Sequence, residues 1–173
     1  APARIINVSS DAHKAVKALD FDHLGQGGAG FGAYSQSKMM NLLFTFELAR
    51  RLEGSGVTVN ALHPGFVATG FGKNNSGTVG AIMRFVVGTL MKPMARTPEQ
   101  GAQTTVYLAS SPQVEGVTGQ YFVDSRPAQP QPYAHDRDAQ RRLWERSEQI
   151  TGIAVTGMPM GTPPPADAGM GDD

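Results

Sequence analysis

Arg4-Ile5-Ile6-Asn7-Val8-Ser9-Ser10 is short, rich in β-branched residues and closed by two serines and Asp11. It predicts a buried strand that ends at residue 8 or 9. Residues 11–32 read as irregular and become glycine-rich from Gly25 to Gly32. A helix is expected next, from about Ala33 to Glu53. Its middle, Met39 to Phe46, is apolar on most faces, which predicts burial on two sides. Gly54-Ser55-Gly56 stops it, and Arg50 and Arg51 complement the dipole of its last turn. Val57-Thr58-Val59-Asn60-Ala61-Leu62 is a second strand, ended by His63-Pro64-Gly65.

Further on, a short helix is expected near 81–90 within a glycine-rich stretch. Thr97-Pro98-Glu99-Gln100 is a helix start with a Thr cap, Pro at the first position and Gln completing a capping box. That helix should run to about Ala109. Tyr121-Phe122-Val123 reads as a third strand, and a last helix covers about 136–151. Strand, helix, strand, helix, strand is an α/β pattern with parallel pairing. About three strands make a narrow sheet, so the chain reads as one side of a larger doubly wound parallel sheet. Residues 1–152 form that domain portion. Residues 153–173 are dominated by Pro and Gly and are expected to be disordered.

Composition narrows the function classes. The 173 residues are 40% hydrophobic and 17% charged, which is globular composition. Lys+Arg and Asp+Glu are balanced at 15 each, so nucleic acid is not expected as a partner. With no cysteine there is neither disulfide nor thiolate metal site. His13 and His63 lack carboxylates at ligand spacing, so no metal is expected, and local hydrogen bonding accounts for both. Trp144 reads as a packing residue.

Tyr34-Ser35-Gln36-Ser37-Lys38 carries the chemistry. A spacing of four sets Tyr34 and Lys38 on one helix face. An ammonium close to a phenol favours the ionised oxygen, and such a phenol is a usable general acid or base. Ser10 can donate a hydrogen bond to a substrate oxygen. In open α/β sheets, ligands sit beyond the carboxyl ends of the strands. Ser10, His63-Pro64-Gly65 and the start of the Tyr34 helix all belong to that rim.

In this order the chain resembles the short-chain dehydrogenase/reductase family. The matching residues are Asn7-Val8-Ser9-Ser10, Tyr34-Ser35-Gln36-Ser37-Lys38 and Asn60 through Thr69. Val8-Ser9-Ser10-Asp11-Ala12-His13, Ser37 through Phe44, Glu47 through Leu52 and Thr97 through Ala102 are closer to its retinol-dehydrogenase-like branch. The resemblance implies a Rossmann-like fold. It also implies reversible hydride transfer between NAD or NADP and an alcohol or carbonyl carbon. It makes Tyr34 the catalytic acid/base and Ser10 the residue that orients the substrate oxygen. Lys38 would tune Tyr34 and hold the nicotinamide ribose. Pro64, Gly65 and Thr69 would line the nicotinamide.

The segment from Phe66 to Met94 would form the family's substrate lid. Its apolar residues, Phe71, Met83 and Phe85 among them, suit a lipophilic, retinol-like or steroid-like substrate. The helix at 33–53 would serve a homodimer.

Gly25-Gln26-Gly27-Gly28-Ala29-Gly30 fits G-x-G-x-x-G, but what precedes it is not a buried strand, as a dinucleotide fingerprint requires. The family's own glycine-rich loop and the residue that selects NAD or NADP are expected upstream of this sequence. The chain is therefore expected to be the C-terminal part of such an enzyme, inactive by itself. The alternative is a catalytically inactive truncated chain or interaction module of the same fold. An epimerase or dehydratase would use the same Tyr and Lys. The compartment expected is cytoplasmic, unless an N-terminal segment anchors the protein to a membrane.

Overall fold

A computed structural model describes residues 3–24, 30–66 and 96–153. Among the described residues, four strands form one sheet in the order β1-β2-β3-β4. β1 (Ala3–Val8) pairs in parallel with β2 (Val57–Leu62), Ile5 opposite Val59 and Val8 opposite Leu62. β2 pairs in parallel with β3 (Tyr121–Val123). β4 (Arg126–Ala128) returns antiparallel to β3. The sheet thus has four strands where the sequence pattern predicted about three.

The fourth strand escapes the pattern because Pro127 lies inside it, opposite Phe122. Proline is tolerated there because β4 is an edge strand, with no further partner waiting for its N–H. The turn is Asp124-Ser125, both with positive φ (52° and 59°), as a two-residue hairpin turn of the primed type demands.

α1 (Gly30–Arg51) joins β1 to β2, and begins three residues before the predicted Ala33. Tyr34 therefore lies in the second turn of the helix, not at its opening. The stretch expected to be irregular contains a 3₁₀ turn over Asp11–Ala15, capped by Ser10. α2 (Pro98–Ser110) starts with the predicted capping box: Thr97 Oγ1 accepts from Gln100 N–H at 3.2 Å, and Gln100 Oε1 accepts from Thr97 N–H at 2.9 Å. α3 (Arg137–Thr151) is capped by Asp136 and ends at Gly152 in the left-handed region. The expected helix near 81–90 and the residues after 153 lie outside the described residues.

Side chains alternate across the sheet and give it two buried faces. On one face Ala61 and Tyr121 meet Met39, Leu42, Leu43 and Phe46 of α1. On the other, Leu62 and Phe122 meet Leu108 of α2 and Val114. Helices on both faces of a mostly parallel sheet make the fold α/β, one side of a doubly wound arrangement.

The two-sided burial expected of α1 is met partly by the sheet and partly by α3, where Phe44 stacks on Trp144 with ring centroids 5.6 Å apart. Trp144 is a packing residue, as expected, and also donates from Nε1 to Glu148. Arg4 ties the start of β1 to the end of α2, donating to the Leu108 and Ser111 carbonyls at 3.0 and 2.9 Å. Those carbonyls have no partner within the helix, and a cation suits that end of its dipole.

Candidate active site

The end of β1 is fastened to α1 residue by residue. Asn7 Nδ2 donates to Thr45 Oγ1 at 2.9 Å, and Thr45 donates to the Asn41 carbonyl. The Val8 carbonyl accepts from Asn41 Nδ2 at 3.0 Å and from Lys38 Nζ at 3.4 Å. Ser9 Oγ donates to the Lys38 carbonyl at 2.8 Å. Each step along the strand toward its carboxyl end meets an earlier turn of the helix. Ser10, the next residue, caps the 3₁₀ turn that follows.

The helix side of this seam is a polar stripe at 34, 38, 41 and 45. The spacing is four, three and four, flanked by the apolar Met39, Leu42, Leu43 and Phe46. Asn41 and Thr45 were missed as site residues, although that spacing is the signal that could have found them. Lys38 Nζ lies 5.6 Å from the centroid of the Tyr34 ring, so the pair shares a face as the spacing predicted. An ammonium has three hydrogens. The single hydrogen bond of Lys38 Nζ among the described residues, to Val8, leaves donors in hand.

Ser10 is held by its own turn. Its Oγ accepts from Ala12 N–H at 3.3 Å, which leaves the hydroxyl hydrogen as a donor. Its carbonyl accepts from His13 N–H at 3.1 Å and from His13 Nδ1 at 2.6 Å. At the end of β2, His63 N–H donates to Phe122, and His63 Nδ1 accepts from Gly65 N–H at 3.0 Å. Local hydrogen bonding thus accounts for both histidines, as the sequence suggested.

Gly65 stands at φ +78°, and a Cβ there would fall 2.7 Å from Arg96 Nε. Arg96 is a site residue that sequence reasoning missed, because its contact with Gly65 is long-range and leaves no periodic signal. Its N–H donates to the Phe66 carbonyl at 2.7 Å, and its guanidinium pairs with Asp124. Pro64 is half-buried beside Gly65. Thr69 and the expected lid residues after Phe66 lie outside the described residues.

Burial sets the electrostatics. It holds both imidazoles, His13 and His63, below the ordinary 6.5, so both are neutral near pH 7. Burial also pushes the Tyr121 phenol well above the ordinary 10, and its hydroxyl is buried with no hydrogen-bond partner among the described residues. Tyr121 packs edge-on to His13 at 5.3 Å and is a neutral spacer, not an acid. The Arg96 guanidinium keeps the Asp124 carboxyl below its usual range.

Two tempting sequence features receive no support. Residues 20–24 before the glycine-rich run form a turn in which Asp20 accepts from Asp22 N–H, not a strand. Gly25 to Ala29 lie outside the described residues. Glu47, a carboxylate some 20 residues on from the run, is buried on α1 and paired with Arg50 and Arg51. Among the described residues no group of histidines and carboxylates could hold a metal, and no helix is long and apolar enough to cross a membrane.

Comparison with known proteins agrees with this geometry. The family model described as enoyl-(acyl carrier protein) reductase matches residues 3–125. Human retinol dehydrogenase 14 is 44% identical over 155 residues, covering 88% of this chain and 45% of that protein. Mouse retinol dehydrogenase 13 is 42% identical over 158 residues, covering 90% of this chain and 47% of that protein. The chain thus spans about half the length of the curated relatives it matches. The crystal structure of an uncharacterised protein from Mycobacterium paratuberculosis superposes with a TM-score of 0.62 at 27% identity, covering 91% of this chain and 52% of that one. Fold, seam and relatives agree: the chain belongs to the short-chain dehydrogenase/reductase family, in its retinol-dehydrogenase-like branch.

Proposed function

We propose that the protein carrying this chain is an NAD(P)-dependent oxidoreductase acting on a lipophilic alcohol or carbonyl compound. One observation carries the reading: Val8 and Ser9, next to Ser10, are fastened to Lys38 and Asn41 of the helix that bears Tyr34. The names of the relatives support a retinol-like substrate, with a steroid-like one as the neighbouring choice.

The residues present fit the nicotinamide-ribose portion of such a cofactor. Lys38 has spare donors for ribose hydroxyls. Gly65, at φ +78°, turns the chain after Pro64, with the Arg96 side chain packed against it. Thr69 belongs to the same proposed lining. When bound, the cofactor supplies or accepts the hydride at the reacting carbon.

The chain's own residues handle the oxygen. Ser10 donates its hydroxyl hydrogen to the substrate oxygen and orients it. In the reducing direction the Tyr34 O–H transfers its proton to that oxygen, giving the alcohol and leaving a phenolate. The Lys38 charge attracts that phenolate. In the oxidising direction the phenolate takes the proton back.

The test is Tyr34→Phe in the full-length protein, followed as NAD(P)H consumption with retinal and other lipophilic aldehydes. The expected loss in kcat is about 10²- to 10⁴-fold, with nucleotide binding retained. Unchanged turnover, or a full-length wild type that binds no NAD(P), defeats the proposal. The 173-residue chain assayed alone is expected to be inactive.

The same reading gives α1 a second role as a homodimer face. Phe44 keeps 38% exposure even with Trp144 stacked on it. Sedimentation of Phe44→Glu against the wild type tests this, and an unchanged mass refutes it.

A further inference from the structure

His13 is fully buried (0% exposed), and the proton chemistry proposed above does not use it. Both of its ring nitrogens are nevertheless engaged, by partners that leave no choice of tautomer. Nδ1 lies 2.6 Å from the Ser10 carbonyl, which can only accept, so Nδ1 carries the hydrogen. Nε2 lies 3.2 Å from the Gln131 backbone N–H, which can only donate, so Nε2 is bare. Burial, which keeps the ring neutral, acts in the same sense.

On the Ser10 side, the carbonyl accepts from His13 twice, through the ring and through the backbone N–H. Ser10 stands in an extended conformation (φ −153°, ψ 154°), with Oγ already turned onto Ala12 N–H. Its hydroxyl direction therefore follows from a peptide plane that the imidazole holds. On the other side, Gln131 caps the 3₁₀ turn Pro132–His135, accepting from Tyr133 N–H. Tyr133 in turn accepts from Leu19 N–H at 3.2 Å. A segment more than a hundred residues downstream thus reaches Ser10, the second residue after β1, through one ring.

We propose that His13 is a positioning residue for Ser10: its Nδ1–H fixes the Ser10 peptide, and its Nε2 makes that fixation depend on the Gln131 backbone. The proposal rests on the reading of Ser10 as the residue that orients the substrate oxygen.

Two isosteres separate the arms. Asparagine places its amide where Nδ1 was and keeps the donor to Ser10. Glutamine reaches to where Nε2 was and keeps only the acceptor for Gln131. In the full-length protein both are expected to lower Tm. His13→Gln should lose at least about tenfold in kcat, as small misplacements of reacting groups do, while His13→Asn recovers most of it. KM for NAD(P)H should stay constant in both, because Lys38 is untouched. Equal kcat in the two variants, or kcat that merely follows Tm, overturns the proposal.

A second pair avoids the core. Gln131 has φ −58°, within the range of proline, so Gln131→Pro removes the N–H and sets a ring carbon where that hydrogen faced His13 Nε2. Gln131→Ala removes the cap and keeps the N–H. The proline variant alone should lower kcat. In ¹⁵N spectra of the ring it alone should lose the pure Nδ1–H pattern. If proline leaves both unchanged, the Gln131 arm is refuted. If the wild type turns over no NAD(P)H while its His13 keeps the Nδ1–H pattern, hydride transfer itself is refuted, and the positioning role with it.

Discussion

Gly65→Ala should destabilise the protein through two separable effects. Gly65 sits at φ +78°, where an L-residue costs about 1–2 kcal/mol. The added methyl would also fall 2.7 Å from Arg96 Nε and 2.9 Å from Arg96 Cδ and Cζ. A flexible side chain can move away, but moving Arg96 gives up its ion pair with Asp124. That pair is half-exposed, so its loss adds no more than about 1 kcal/mol. Gly65→Ala should therefore cost about 1–3 kcal/mol, and Arg96→Ala alone about 0–1 kcal/mol.

In the double variant the pair is lost only once. The total should then fall short of the sum by the worth of the pair, up to about 1 kcal/mol. Urea unfolding of the four proteins, read by the fluorescence of Trp144, measures the cycle. Repeating it near 1 M salt should shrink the coupling, because screening weakens the exposed pair, while the backbone part persists. A neutral Gly65→Ala refutes the backbone part. A coupling that exceeds the worth of the pair, or that grows with salt, refutes the account of Arg96.

Leu42→Ala removes a fully buried side chain between sheet and helix, and should cost about 2–5 kcal/mol. A loss under about 1 kcal/mol in chemical denaturation would mean that this face is not packed as described. Thr97→Ala deletes one half of the α2 capping box and should cost about 1 kcal/mol, read as a Tm shift. Stability should also fall as the medium is acidified. His13 and His63 have folded pKa values below the ordinary 6.5, so below that pH the unfolded chain takes up protons that the folded one refuses. The loss begins as pH drops through 6.5 and continues to the folded values. His13→Asn should flatten that slope, and an unchanged slope would contradict the buried neutral ring.

The elements read correctly from sequence are those whose pattern is local. β1, β2 and β3 are short β-branched or aromatic runs with turn residues after them. α2 announces itself through Thr97, Pro98 and Gln100. β4 was illegible because Pro127 argues against a strand until one knows that the strand is an edge. The early start of α1 was hidden because Gly30 and Gly32 read as loop, and glycine's helix penalty is outweighed by the packing of the turns that follow.

At the candidate site, Ser10, Tyr34, Lys38 and Gly65 were named from motif order, as proposed site residues. Their supports could not be so named. His13 accepts from the Gln131 backbone N–H, and Gly65 is closed over by Arg96. Such pairings join residues distant in sequence and leave no periodic trace.

The seam between β1 and α1 also bears on how the family can vary. Asn7, Val8 and Ser9 are bonded to the helix itself and not to the stretch that leads into it. A slip of one residue in the strand would reverse its faces and turn Ser10 away, and the seam forbids it. The alignment of Ser10 with Tyr34 is thereby independent of the length of chain between them. Beyond Leu24, the last of the described residues before α1 to pack on the core, insertions should face mainly the slow cost of loop closure, about 0.6 kcal/mol for each doubling. Natural variation in length should therefore collect between Leu24 and Gly30, where new surface can be added without disturbing the seam.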